Sequence, residues 1–177
     1  MLSAPQIIGL HQLSSVRKLI YKVFGHLAQK EIAALESDCK NPREAQWRKL
    51  QDILSRNADT VFGVEHKFSA IKSIADFQSS IEVSDYEKYR PYVDRIWAGE
   101  DKILTSERPL MFATTSGTMG KSKYIPVTES YLNEFRAAST ASGYFMLKAF
   151  PGIANGATLS VFSPATEGHS PGGTPYR

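Results

Sequence analysis

Apolar residues are spaced for helix through the first half of the chain and for strand beyond it. Leu13, Val16, Ile20, Val23, Phe24, Leu27, Ile32 and Leu35 fall largely three or four positions apart between Gln6 and Leu35. That spacing predicts an amphipathic helix packing its stripe into a core. Arg17, Lys18, Lys22 and Lys30 lie among them, so a helix resting on a membrane surface is the alternative. Asn41, Pro42 and Glu44 then spell a helix start, with a capping side chain, a proline in the first turn and a reciprocal glutamate. Trp47, Leu50, Ile53 and Leu54 form its stripe, and it ends near Asn57. Ala58 to Phe68 mixes Gly63 with Val61, Phe62 and Val64 and reads as a loop with short turns. Ser84 and Glu87 make another capping-box pair; Pro91 is expected to interrupt that helix and to start a second, short one through Ile96 and Trp97 to Gly99.

After Gly99 the pattern changes. Lys102 to Thr105 and Leu110 to Thr114 are short apolar runs of the kind that form buried strands. Lys123-Tyr124-Ile125-Pro126-Val127 reads as an edge strand, because Pro126 has no N–H to give to a ladder. Thr128 or Ser130 caps a following helix that carries Tyr131, Leu132, Phe135, Phe145, Met146 and Leu147 until Pro151-Gly152 stops it, and Thr158 to Phe162 supplies a further strand. Ser163 to Arg177 is rich in proline and glycine and carries no predicted element to tie it down. The fold class expected is α/β, with N-terminal helices leading into a mixed sheet.

Composition narrows the possibilities. A chain of 177 residues, 42% apolar and 22% charged, suits a globular protein with one domain. A formal charge of +3 lacks the excess of a nucleic-acid-coating protein. One cysteine, Cys39, excludes an internal disulfide, and with four scattered histidines it leaves no zinc site of standard spacing. No run of 18 apolar residues and no secretory signal occurs, so no membrane span and a cytoplasmic location are expected.

Candidate chemistry concentrates in Thr114-Thr115-Ser116-Gly117-Thr118-Met119-Gly120-Lys121-Ser122-Lys123. Glycines let successive backbone N–H groups converge on an anion, hydroxyls add donors, and lysine adds positive charge, so the segment reads as a phosphate grip. A solvated surface turn is the bland alternative. Thr115 to Ser122 nearly spells G-x-x-x-x-G-K-S/T of the nucleoside triphosphatases, with Thr115 in place of the first glycine. That class needs a helix to open at the Lys-Ser pair, whereas Tyr124-Ile125-Pro126-Val127 predicts a strand, so strand–loop–strand is the better reading. Ser116 has no histidine near it in sequence to activate it as a nucleophile and reads as a phosphate donor.

Thr115 to Lys123 resembles the phosphate loop of adenylate-forming enzymes, T-S-G-T-T/S-x-G-x-x-K. Three upstream blocks narrow the resemblance: Asn57-Ala58-x-Thr60-x-Phe62-Gly63, Tyr86-Glu87-Lys88-Tyr89-Arg90-Pro91-Tyr92-Val93-x-Arg95-Ile96, and Gly99-Glu100. With Tyr124-Ile125-Pro126-Val127-Thr128 and Ser163-Pro164-Ala165-Thr166-Glu167-Gly168 they are similar, over roughly residues 45–177, to the auxin-responsive-promoter or Gretchen Hagen family of acyl-acid amido synthetases. The resemblance implies a two-step ligase: a carboxylic acid and ATP give an acyl-adenylate and pyrophosphate, and an amino acid or other amine then takes the acyl group. It implies ATP contacts from Thr115, Ser116, Gly117, Thr118, Gly120 and Lys123, with Lys123 as the electrostatic, catalytic lysine. Magnesium is implied as well, its ligand lying outside these residues. Tyr131, Phe135, Arg136 and Tyr144 are candidates for an acyl pocket or plain core; family members in plants place a carboxylate-holding arginine near the position of Ser142. Tyr86, Arg90 and Arg95 read as structural, facing solvent or buttressing the sheet.

Family members are several hundred residues long, so the chain is expected to be an N-terminal fragment: residues 1–40 an amphipathic helix region, residues 41–177 a partial adenylation domain truncated at its C-terminal end. Such a fragment exposes apolar faces and is expected to be inactive alone. A non-catalytic nucleotide-binding module and a phosphoryl-transfer enzyme with a degenerate loop are the alternatives.

Overall fold

A computed structural model describes residues 10–115, 122–155 and 164–177. Two compact units emerge, one of Met1–Lys40 with Glu134–Val161 and one of Asn41–Asn133 with Phe162–Arg177.

The second unit begins with α2 (Pro42–Arg56), which follows α1 (Leu10–Lys40). Pro42 sits in the first turn as predicted, but the Asn41 side chain caps no backbone N–H; its Nδ2 donates to Glu44 Oε2 at 2.6 Å instead. At the far end Asn57 closes the helix, its amide and its Nδ2 both donating to the Ile53 carbonyl. Leu54 is buried with Phe68 and Ile71, and Leu50 packs against them; Ile53 stays exposed.

Ala58 to Phe68 is not a loop. It holds α3 (Val61–Glu65) and runs into a 3-10 turn at Phe68–Ala70. Thr60 is the cap: its buried hydroxyl accepts from Gly63 N at 3.0 Å and donates to the Asn57 carbonyl at 2.8 Å. The first two N–H groups of α3 find distant partners, Val61 N donating to Lys102 O at 2.9 Å and Phe62 N to Ile103 O at 3.0 Å. A helix this short is stabilised from outside itself, which no local pattern reveals. Gly63 is required because a Cβ there would stand 2.0 Å from the Asn57 carbonyl oxygen.

Those same carbonyls explain why Lys102 to Thr105 forms no strand. Both serve α3, while Ile103 is buried with Ile96 and Phe112.

After α4 (Ile74–Ser80) comes α5 (Tyr86–Trp97), one continuous helix that passes through Pro91. The expected break does not occur. Pro91 leaves the Glu87 carbonyl without its helical donor, and burial of Val93 and Ile96 on the same helix outweighs that loss. Asp85, not Ser84, is the cap, its Oδ1 accepting from Glu87 N and Lys88 N, whereas the Ser84 hydroxyl donates to Glu82 O. The helix ends as predicted at Gly99, whose φ of +102° allows Gly99 N to reach Ile96 O and Glu100 N to reach Arg95 O, a Schellman closure.

The sheet is mixed, in the order β2-β1-β4-β3. β1 (Met111–Thr114) and β2 (Tyr124–Val127) are antiparallel, with Thr114 opposite Tyr124 and Met111 opposite Val127. β4 (Pro175–Tyr176) runs parallel to β1 and pairs antiparallel with β3 (Gly168–His169). The last residues are therefore tied into the sheet, against the expectation of an untethered end: Arg177 N donates to Phe112 O and Thr114 N to Arg177 O. Fully buried Phe112 lies under Trp97, with Tyr124 and Tyr176 beside it.

In the first unit, α1 buries Ala28 and Ile32, and Phe24 packs on Gly143 of α6 (Glu129–Ala149). The predicted stripe divides, since Ile20, Val23, Leu27 and Leu35 are exposed. Thr128 caps α6, its Oγ1 accepting from Tyr131 N at 3.3 Å, and a 3-10 turn at Pro151–Asn155 follows the helix. No helix of the described residues is long and apolar enough to cross a membrane. The strand expected at Thr158 to Phe162 lies outside the described residues.

Candidate functional site

The segment predicted to grip phosphate joins β1 to β2. Because Phe112 O and Thr114 N face β4, the alternation of a strand turns Thr115 toward β2, and Thr115 N donates to Lys123 O at 3.1 Å. Lys123 N in turn donates to Thr115 Oγ1 at 3.3 Å. Thr115 and Lys123 thus face each other one step beyond the strands. Both are exposed. Ser116, Gly117, Thr118 and Gly120, the other predicted phosphate contacts, lie outside the described residues.

Among the described strands β2 lies at the edge, as Pro126 predicted, and its outward positions are Tyr124 and Pro126. Pro126 has no N–H to leave unpaired, and Tyr124 is served by a side chain. The Tyr86 hydroxyl accepts from Tyr124 N at 3.0 Å and donates to Tyr124 O at 3.1 Å, filling the place of a neighbouring strand. The Tyr86 ring takes the Lys123 ammonium at 5.4 Å and the Arg90 guanidinium at 4.9 Å from its centroid. Arg90 is held by Glu87 through two hydrogen bonds of 2.6 and 2.7 Å, which push its already high pKa further up. Arg95 pairs likewise with Glu100, whose carboxyl that hydrogen bond lowers below the usual range. For the two arginines the structure shows ion pairs with neighbouring carboxylates, in keeping with the structural reading. For Tyr86 it is incomplete, because the residue touches both the backbone and the ammonium at the loop's exit. Two signals pointed there: Tyr86 and Arg90 share a helix face at a spacing of four, and Pro126 marks the parity of the edge.

A second polar cluster anchors the start of α6. Glu107 accepts from Ser130 N at 3.1 Å and from the Ser130 hydroxyl, while Arg56 Nη1 donates to Ser130 Oγ at 2.7 Å and lies 3.6 Å from Glu107 Oε1. The Ser130 hydroxyl and amide, in that order, hold the Glu107 carboxyl below the usual carboxylate range, with Arg56 adding to the effect. Ser130 is therefore a partner of this carboxylate rather than the cap of α6. Of the acyl-pocket candidates, Tyr131, Phe135 and Arg136 are exposed, and Tyr144 packs beside Gly25 within the first unit. Among the described residues no three His, Cys, Asp or Glu side chains converge to hold a metal ion.

Helices leading into a small mixed sheet are shared with a solved acyl acid amido synthetase, GH3.15; the match has a TM-score of 0.69 and 26% identity over 82% of this chain and 26% of that one. Residues 31–177 match the sequence profile of the GH3 family N-terminal domain, and the chain belongs to that family. Among curated relatives, indole-3-acetic acid-amido synthetase GH3.5 of Arabidopsis thaliana is 28% identical over 151 residues, covering 84% of this chain and 25% of its own length. GH3.15 of the same plant, also described as an indole-3-acetic acid-amido synthetase, is 30% identical over 148 residues, 82% of this chain and 25% of that one. The chain spans about a quarter of the length of these relatives.

Proposed function

We propose that this chain is the N-terminal part of an ATP-dependent acyl-acid amido synthetase, which adenylates a carboxylic acid with release of pyrophosphate and passes the acyl group to an amino acid or other amine. The observation that carries this reading is the pairing of Thr115 with Lys123 just beyond β1 and β2, at the two ends of a segment whose sequence resembles the phosphate loop of adenylate-forming enzymes. In the first step a carboxylate oxygen attacks the α-phosphorus and the bond to the pyrophosphate oxygen breaks. Charge grows on the departing β and γ phosphates, and donors already in place there stabilise it most effectively. Thr115, Ser116, Gly117, Thr118 and Gly120 are assigned to grip those phosphates, and Lys123 to neutralise them. The family resemblance implies magnesium with ATP, but the described residues provide no converging ligand set. Its ligand is assigned to residues beyond this segment, and no step here is routed through it. A cytoplasmic location belongs to the same reading.

The phosphoryl-transfer alternative is disfavoured by a specific feature. Residues 124–127 form β2 and the next helix opens only at Glu129, so no helix N-terminus follows the Lys121-Ser122 pair directly. The test is acid-dependent exchange of labelled pyrophosphate into ATP by the synthetase that contains this segment. Ser116→Ala combined with Lys123→Ala is expected to abolish exchange; unchanged exchange overturns the site, and steady release of orthophosphate in place of pyrophosphate supports phosphoryl transfer instead.

A further inference from the structure

Lys123 is held on three sides at its backbone. Its carbonyl accepts from Thr115 N, its amide donates to Thr115 Oγ1, and the residue that follows it has both backbone groups engaged by one tyrosine hydroxyl. The same tyrosine carries the Lys123 ammonium over its ring. A lysine side chain has several rotatable bonds, so directing its ammonium costs conformational entropy unless something restricts it. Tyr86 restricts it at both ends, fixing where the side chain starts through the hydroxyl and where it ends through the ring. Arg90 shares that ring, and its pairing with Glu87 compensates a like charge that would otherwise repel Lys123.

From this geometry we infer that Tyr86 is a positioning residue for the adenylation step, acting through Lys123. The inference rests on the adenylating function proposed above. Because Lys123 is assigned to charge that develops as pyrophosphate leaves, loss of Tyr86 should lower kcat more than it raises KM for ATP.

The experiment is pyrophosphate exchange by the synthetase containing this segment, with Tyr86→Phe, Tyr86→Leu, Lys123→Ala and each Tyr86 variant combined with Lys123→Ala. Phenylalanine keeps the ring and loses the hydroxyl clamp, for an expected fall in kcat of about two- to tenfold. Leucine loses both, for a fall of about five- to fiftyfold. In the Lys123→Ala background neither Tyr86 change should reduce exchange further, since the group it positions is gone. If the Tyr86 changes multiply with Lys123→Ala, or if both single variants match the wild type, Tyr86 is not a positioning residue. If Lys123→Ala alone retains full exchange, the assignment of Lys123 fails first, and the inference falls with it. Where the leucine variant does not fold, judged by its thermal midpoint, the phenylalanine cycle decides the matter alone.

Discussion

Thr60 offers a test in which shape and hydrogen bonding give opposite rankings. Its side chain is fully buried, and its hydroxyl links the Asn57 carbonyl to the Gly63 amide, at 2.8 and 3.0 Å. Valine has nearly the same volume and the same branching at Cβ, so Thr60→Val leaves packing almost unchanged while removing both bonds. The Asn57 carbonyl keeps the Thr60 N–H at 3.2 Å, but Gly63 N, itself buried, loses its partner. A buried orphan donor costs about 1–3 kcal/mol and the second lost bond about 1 kcal/mol, giving about 2–4 kcal/mol in total. Thr60→Ser keeps the hydroxyl and removes one methyl group, a loss of about 1 kcal/mol. In a chain of this size each kcal/mol lowers the thermal midpoint by about 2–4 °C, so valine should lower it by about 5–15 °C and serine by about 2–4 °C. Circular dichroism during heating, with urea titration to check that the slope is unchanged, measures both. A valine variant as stable as the serine variant refutes the reasoning. The consequence extends to the sheet, because this knot also binds the 102–106 segment that leads into β1: Ser106 N donates to Asn57 Oδ1 at 2.9 Å.

Two other predictions probe separate parts of the fold. At Gly172 a Cβ would stand 2.5 Å from Gly99 Cα and 2.6 Å from Gly99 N, both backbone atoms that cannot step aside, so Gly172→Ala should destabilise by about 1–3 kcal/mol; Gly152→Ala, which meets nothing within 4 Å, should stay within about 0.5 kcal/mol of wild type in the same denaturation assay. Glu107 has its folded-state pKa lowered by Ser130 and Arg56, so its contribution is present above the unfolded carboxylate value of about 4.3 and is lost as pH falls through the lower folded value. Glu107→Gln should therefore reduce stability at pH 7 and flatten the acid limb of a stability-against-pH curve below about pH 4.3; an unchanged acid limb excludes the linkage.

What could be read from the residues alone follows a physical division. Helices with several turns announce themselves, so α2 and α6 lie where periodicity and breakers place them, as does the Gly99 closure of α5. Pro126 identified its strand as an edge because a missing N–H is a local fact. Elements stabilised from a distance were not legible. α3 depends on carbonyls at 102 and 103, some forty positions along the chain, and those same bonds remove Lys102 to Thr105 from the sheet. β3 and β4 are two residues each, β4 placed by its pairing with β1 and β3 by its pairing with β4, so their own sequence carries no strand signal. Pro91 was misleading for the same reason, since buried Val93 and Ile96 override a local preference. At the candidate site, residue types alone singled out Thr115 and Lys123, whereas the Tyr86 clamp needed the sheet's parity and the position of α5.

The central claim is that the segment from Thr115 to Lys123 serves attack of a carboxylate on the α-phosphorus of ATP. The most direct measurement follows the carboxylate oxygen. The synthetase containing this segment is given a carboxylic acid labelled with 18O in both oxygens, ATP and an acceptor amine, and the phosphorus-containing products are examined by mass spectrometry. Attack at the α-phosphorus leaves one labelled oxygen in AMP when the amine displaces it, with unlabelled pyrophosphate as the other product. Label in orthophosphate, with ADP formed in place of AMP, would mean attack at the γ-phosphorus and would contradict the account.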